Sequence, residues 1–414
     1  MVCGHAPGEI PVLALPKDRS GVLPNQHLEV AAEQGMVHGD TGPIPSANIQ
    51  PASIDLRLGQ LAYRVRCSFL PAGQTVARRM KDLVLDEITL TGDGAVLTPG
   101  HPYLIPLREH LDLGPDLRAK ANPKSSTGRA DVFTRVITDH SYRFDEVAAG
   151  YTGALYLEVV PLSFPVRVRE DLTLNQLRIS RGRSYLTDDE IRRWHAGEPL
   201  LFRDNVEVPG DDLDLSAGLF LGLDLRGDRS GQVGHRARTS PPLLDLTKVG
   251  HADPDQYWEP VHREAGRRIV LTPKLFYLLM SYEAVTIPPQ LAAEMTAYDP
   301  TSGELRTHYA GFFDPGFGYD AGDRFRGSTA ALEVRAHDVP FMIEHRQPVC
   351  KLTFEHMLEE PTQLYGKGIG SNYQQQTETL GKHFRGRGST ASSGHGRQGR
   401  KVSDDQLGLL EIDP

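Results

Sequence analysis

The stretch LEVVPLSFPVRVREDLTLNQLRI (157–179) aligns without a gap to LEVRAHDVPFMIEHRQPVCKLTF (332–354), setting Glu158 against Glu333 and Pro165 against Pro340. Upstream, NPKSSTGR (122–129) pairs with DPTSGELR (299–306), so a Ser-x-x-x-Arg spacing recurs as Ser125/Arg129 and Ser302/Arg306. Two matches in the same order imply an internal duplication. Around these copies, 30 prolines and 41 glycines punctuate short apolar runs such as VLTPGHPYLIPL (96–107) and GALYLEVVPL (153–162). Their β-branched and aromatic content marks them as strands. Helical signals are confined to HLEVAAEQG (27–35) and TDDEIRRWHAG (187–197), the latter with Thr187 as N-cap and Glu190 three residues on. The expected fold is mostly β, with short helices at the joints and strands closing into barrels or jelly rolls.

A chain of 414 residues suits two such domains plus extensions. The sequence divides into an N-terminal extension (1–24), a first repeat (25–205), a second repeat (206–383) and a Gly/Ser/Arg-rich flexible tail (384–414), the break falling in RDNVEVPGDD (203–212). Apolar residues at 39% and charged residues at 24% are ordinary globular values. No apolar run approaches the ~18 residues of a membrane helix, and the N-terminus lacks the layout of a signal peptide, which makes the cytoplasm the default. A net charge of −9 argues against broad nucleic-acid binding. Cys3, Cys67 and Cys350 are too few and too scattered for a disulfide framework or a thiolate metal cage.

Four motifs in the first repeat, QPASIDLRLG (50–59), PKSSTGR (123–129), AGYTGALYLE (149–158) and LNQLRI (174–179), resemble in order and spacing those of dCTP deaminases, relatives of the trimeric dUTPases. The second repeat ends in LYGKGIGSNYQQQ (364–376), similar to the closing tail of that family. The resemblance implies two tandem dUTPase-like distorted β-barrels, a homo-oligomer built on a threefold axis, and active sites shared between neighbouring units. It implies deamination of dCTP to dUTP, with Mg²⁺ carried by the triphosphate. Zinc is not expected, because the Pro-Cys-x-x-Cys of the zinc deaminases is absent.

Deaminating cytosine needs a base to activate water and an acid to protonate the departing ammonia, and one buried carboxyl can serve both. On the resemblance, Glu158 has that role, with Ser125 and Arg129 orienting the water and Lys124 and Ser126 on the phosphates. Without it, a strand glutamate paired with an arginine is the plain reading of Glu158. Tyr365, Lys367, Tyr373 and Gln376 are the tail residues expected over the nucleotide, with Asn372 where relatives often carry lysine. In the second repeat Ser302, Arg306, Asp314 and Glu333 form a less regular set; Glu333 stands open between a catalytic group, a contributor to a composite site and a relic. An aspartate that activates water against phosphorus is Asp314 in that repeat; in the first it is Asp145 if three residues are inserted there, and otherwise Ala148 fills the place. Asp55 and Arg57 are read as a surface or inter-unit pair on a core strand, Arg57 being the weaker site candidate. The competing functions are a dUTPase-type pyrophosphatase or bifunctional enzyme yielding dUMP, and a non-catalytic nucleotide-binding regulator.

Overall fold

The structure, a computed structural model, describes residues 13–16, 18–297, 305–307, 311–319, 327–366 and 379–386. It is mostly β, in two similar units. In the first, helix α1 (Asn25–Glu33) leads, among shorter strands, to β1 (Ile54–Arg57), β2 (Tyr103–Asp112) and β3 (Leu117–Pro123). A short helical turn α2 (Ser125–Gly128) follows, then β4 (Val132–Thr138), β5 (Glu146–Val147), β6 (Thr152–Pro161) and β7 (Thr173–Arg181). Strand β6 lies between β2 and β4 in one antiparallel sheet. In the facing sheet β7 pairs with β1 and β3, and β5 with β3.

The second unit begins with helix α3 (Asp188–Gly197) and carries β8 (Leu219–Gly222), β9 (Gln232–Ala237), β10 (Phe276–Val285) and β11 (Leu291–Ala297). Strands β12 (Leu305–Thr307), β13 (Gly311–Phe313), β14 (Ser328–Ala336) and β15 (Pro348–His356) complete it. Its pairings match those of the first unit: β14 with β10 and β12, β15 with β8 and β11, and β13 with β11. Thr187 and Glu190 form the capping box expected at the start of α3. This helix orders the chain earlier than the sequence division at 205/206 supposes. Leu186, Ile191, Leu200, Leu201 and Val208 are all buried in the second core, so the second unit begins by residue 186.

The two cores share β10. Phe276 and Leu278 are buried in the first core, whereas Tyr277 and Leu279 are buried in the second. Successive side chains on a strand point to opposite faces, so one strand serves both units. Trp258, Tyr257 and Phe384 join it on the first-unit side, with Phe164 edge-on to Trp258 at 5.2 Å and to Tyr257 at 5.6 Å. Fully burying a side chain such as Phe276 or Leu278 stabilises the junction by about 1.5–3 kcal/mol.

Candidate active site

Glu333 lies on β14 opposite Leu278 of β10. Its neighbours Leu332 and Val334 are buried in the second core. Alternation therefore turns Glu333 and Arg335 away from that core, toward the first unit. What meets Glu333 there is α2: a methyl group on Gly128 would stand 2.5 and 2.6 Å from its carboxylate oxygens. Turn α2 is closed by Gly128 N–H donating to Lys124 O (3.1 Å) and Arg129 N–H to Ser125 O (3.1 Å). Ser125 is exposed, while Ser126, Thr127 and Arg129 are buried. Burial pushes the Glu333 carboxyl up to about 8; Asp131 adds to the rise and Arg129 opposes it.

The C-terminal segment closes over this junction. Thr379 accepts a hydrogen bond at its carbonyl from Arg129 Nη1 (3.4 Å), and its hydroxyl meets His235 Nδ1 on β9 at 2.7 Å. Lys124, the expected phosphate contact, is paired with buried Asp55 and donates to Thr173 Oγ1 (3.1 Å). Burial and the neighbouring charge of Lys124 hold Lys382 below the ordinary lysine value, against the pull of Asp55. Asp55 in turn is raised by its burial against the opposing pull of Lys124 and Lys382. Two lysines, one from each unit, thus flank one carboxylate. Asp314, raised by burial, is bonded to Arg178 Nη2 (3.1 Å) and feels both Asp55 and Lys124.

Glu158 has different surroundings. It too lies on the outer face of its strand, opposite Leu104 and Arg135. Arg135 donates to its Oε1 from Nη2 (2.6 Å) and Nε (3.1 Å), to Ser68 Oγ (2.7 Å), and stacks on Phe144 with its guanidinium 3.6 Å from the ring centroid. Leu104, Ile137, Val65 and Val76 form a small cluster on this face, with Tyr63 and Phe144 against it. Glu158 is thus covered by its own unit and ion-paired, whereas Glu333 is covered by the other unit and lies beside Arg129. The structure sets the turn that begins at Ser125, through Gly128 and Arg129, against Glu333 rather than against the expected Glu158.

Strand register also revises the second set. Val159 pairs with Thr134, and its counterpart Val334 with Thr307, so Arg306, opposite Arg335, is the counterpart of Phe133 opposite Val160. It occupies the middle of a strand, not the end of a helical turn, and the ungapped match to Arg129 is out of register. Ser302, Lys367, Tyr373 and Gln376 lie outside the described residues. The aspartate ambiguity is decided by the turn itself. Tyr151 N–H donates to Ala148 O (3.2 Å) as Phe317 N–H donates to Asp314 O (3.1 Å), and Gly150 and Gly316 both have positive φ, 71° and 99°. Ala148 is therefore the counterpart of Asp314. Asp145 is half-buried, its carboxyl raised to about 7 by burial, and it accepts the Val136 N–H (2.7 Å) in a backbone-bracing role. Tyr365 is anchored on the equivalent turn, its N–H donating to Pro315 O (2.8 Å) and its ring 5.7 Å from that of Phe317. Asp55 and Arg57 are both buried rather than at the surface, and they do not pair with each other: Arg57 Nε donates to buried Glu109 (2.7 Å).

Asp131 and Arg335, joined at 2.5 Å across the two units, escaped the sequence reading. The available signal was a charge at Arg335 where the first copy has Val160. Among the described residues no three His, Cys, Asp or Glu side chains are grouped to hold a metal ion, and no helix is long and apolar enough to cross a membrane.

Two jelly-roll units meet around a half-buried carboxyl, a guanidinium and two lysines, a setting suited to an enzyme acting on nucleotides. Family models for the N-terminal and C-terminal domains of 2'-deoxycytidine 5'-triphosphate deaminase match residues 19–183 and 187–384. The chain belongs to that family. It is similar to the crystal structure of 2'-deoxycytidine 5'-triphosphate deaminase from Agrobacterium tumefaciens, at 43% identity and a TM-score of 0.78, over 85% of this chain and 100% of that one. It is 28% identical over 142 residues to the dCTP deaminase of Natronomonas pharaonis, covering 34% of this chain and 70% of that protein. A dCTP deaminase, dUMP-forming, from Salinispora arenicola is 29% identical over 140 residues, 34% of this chain and 69% of its own length.

Proposed function

We propose that this protein hydrolyses dCTP to dUTP and ammonia at one composite site per chain, with Glu333 as the proton shuttle. The observation that carries the reading is the half-buried Glu333, its carboxyl set against Gly128 and beside Arg129, across the junction of the units. Water, oriented by Ser125 and Arg129, adds to C4 of the cytosine as Glu333 takes its proton. Glu333 passes that proton to N3 as the C4=N3 double bond opens, then moves the adduct's hydroxyl proton to the exocyclic amino nitrogen; the bond from C4 to that nitrogen breaks, and ammonia leaves as the C4 carbonyl of uracil forms with a hydrogen on N3. A carboxyl with its pKa raised near 8 exchanges a proton readily in both directions at neutral pH. Lys124 and Lys382 supply positive charge for the triphosphate, and Mg²⁺ enters as part of that substrate, keeping its water ligands.

The Arg135 ion pair on Glu158 and the strand setting of Arg306 support a single working site over two. The hold of Arg178 on Asp314 supports dUTP, not dUMP, as the product. Ammonia, dUTP and pyrophosphate followed separately during incubation with dCTP and Mg²⁺ test both statements. Glu333→Gln is expected to abolish ammonia release while dCTP still binds. Undiminished turnover by that variant rejects the assignment, and pyrophosphate release by the wild type rejects the product.

A further inference from the structure

We propose that Asp131 and Arg335 are positioning residues for the reaction, an ion-pair clasp that locks the Ser125–Arg129 turn onto the strand carrying Glu333. The inference rests on the assignment of Glu333. Arg335 is two residues beyond Glu333 on the same strand face, and Asp131 is two residues beyond Arg129. One contact therefore fixes the relative placement of both working groups.

Asp131 is fully buried and is held from several sides. Its Oδ2 accepts from Arg335 Nη2 (2.5 Å) and from Ser163 Oγ (2.5 Å). Its backbone N–H donates to Gly128 O (2.8 Å), and its carbonyl accepts from Leu162 N–H (3.0 Å). Its φ is 53°, a left-handed conformation that aspartate and asparagine tolerate better than most side chains. Arg335 is braced by Nη1 on Lys274 O (2.5 Å), with its guanidinium 5.8 Å from the Phe276 ring centroid. Phe276 is buried in the first core, so the clasp is seated on the junction strand. Among the described residues, the charged groups that act on Glu333 are Arg129 and Asp131 from the first unit; Arg335, two residues along the same strand, holds Asp131, and β10 presents apolar Leu278 opposite. Removing either member of the clasp leaves its partner's charge near Glu333, and the two removals act with opposite sign.

The test is the pH profile of kcat/KM for ammonia release from dCTP, measured on Asp131→Asn, Arg335→Gln and Arg335→Lys. Asn keeps the left-handed backbone and removes only the charge. The acidic limb is expected to move down in Asp131→Asn and up in Arg335→Gln, by about half a pH unit or more each. Arg335→Lys keeps the charge but loses the fixed fork; its limb should stay at the wild-type position while kcat falls about tenfold and KM changes less. The clasp is refuted by limbs that stay put or move together, or by an Arg335→Lys enzyme with wild-type kcat. Should Asp131→Asn or Arg335→Gln fail to fold, the Arg335→Lys outcome decides alone. Retained turnover in Glu333→Gln points instead to failure of the underlying assignment.

Discussion

A single methyl group at Gly128 distinguishes the two glutamates. The ideal Cβ would come within 2.5 Å of one Glu333 oxygen, where ordinary contacts begin near 3.4 Å, so the carboxylate must retreat by nearly 1 Å. The backbone has no reason to object: Gly128 ends a helical turn, is not among the positive-φ glycines, and alanine is favoured over glycine in a helix by about 0.5–1 kcal/mol. The atoms that must move are the far end of a flexible side chain. The fold is therefore expected to survive and the geometry of attack to suffer. A misplacement of about 1 Å can cost roughly 100-fold in rate, which is about 2.7 kcal/mol in the barrier. Gly128→Ala should thus lower kcat for ammonia release by about two orders of magnitude, with a melting temperature within a few degrees of wild type. Unchanged kcat in a folded Gly128→Ala protein would refute the placement of Glu333 at the reacting centre.

Glu158→Gln is expected to keep turnover within about twofold and to lose roughly 1 kcal/mol in urea unfolding, the charge-assisted bonds from a partly exposed Arg135 being discounted for solvent screening; loss of activity instead would restore Glu158 as the shuttle. Arg178→Met strips the shared partner from Glu355 (3.0 Å) and Asp314 (3.1 Å), both buried, and should destabilise by about 3–5 kcal/mol in the same assay. Glu333 ionises near 8 when folded, against 4.5 ordinarily. The native state therefore holds an extra proton between those values, and the stability this group permits declines as pH rises through that window. Glu333→Gln removes this slope, so its melting temperature should gain on wild type from about pH 5 to 8 and then run parallel; parallel curves throughout would contradict the raised pKa.

Much of the fold was readable because proline, glycine and β-branched residues fix strand lengths locally, and Thr187 with Glu190 fixes one helix start. The copies of LEV were equally readable as equivalents. What separates Glu158 from Glu333 is not on their own strands: it is the cover each face receives. A local segment and Arg135 close over one, while the turn of the other unit closes over its counterpart. Such cover depends on contacts between residues some two hundred positions apart, such as Gly128 with Glu333, which pattern and spacing cannot specify. The misassigned Arg306 has a simpler cause: an ungapped match takes no account of strand register, and pairing with Arg335 sets that register.

Strand β10, with Phe276 and Leu278 in one core and Tyr277 and Leu279 in the other, has a consequence for how the molecule comes apart. Melting either half drags the shared strand out of its neighbour and opens both interiors, so unfolding is expected as one cooperative transition. Cut between its two units, the chain would leave the first without part of its own interior and the second with aromatic side chains bared to water. The units are thus not separable modules: each is scaffolding for the other.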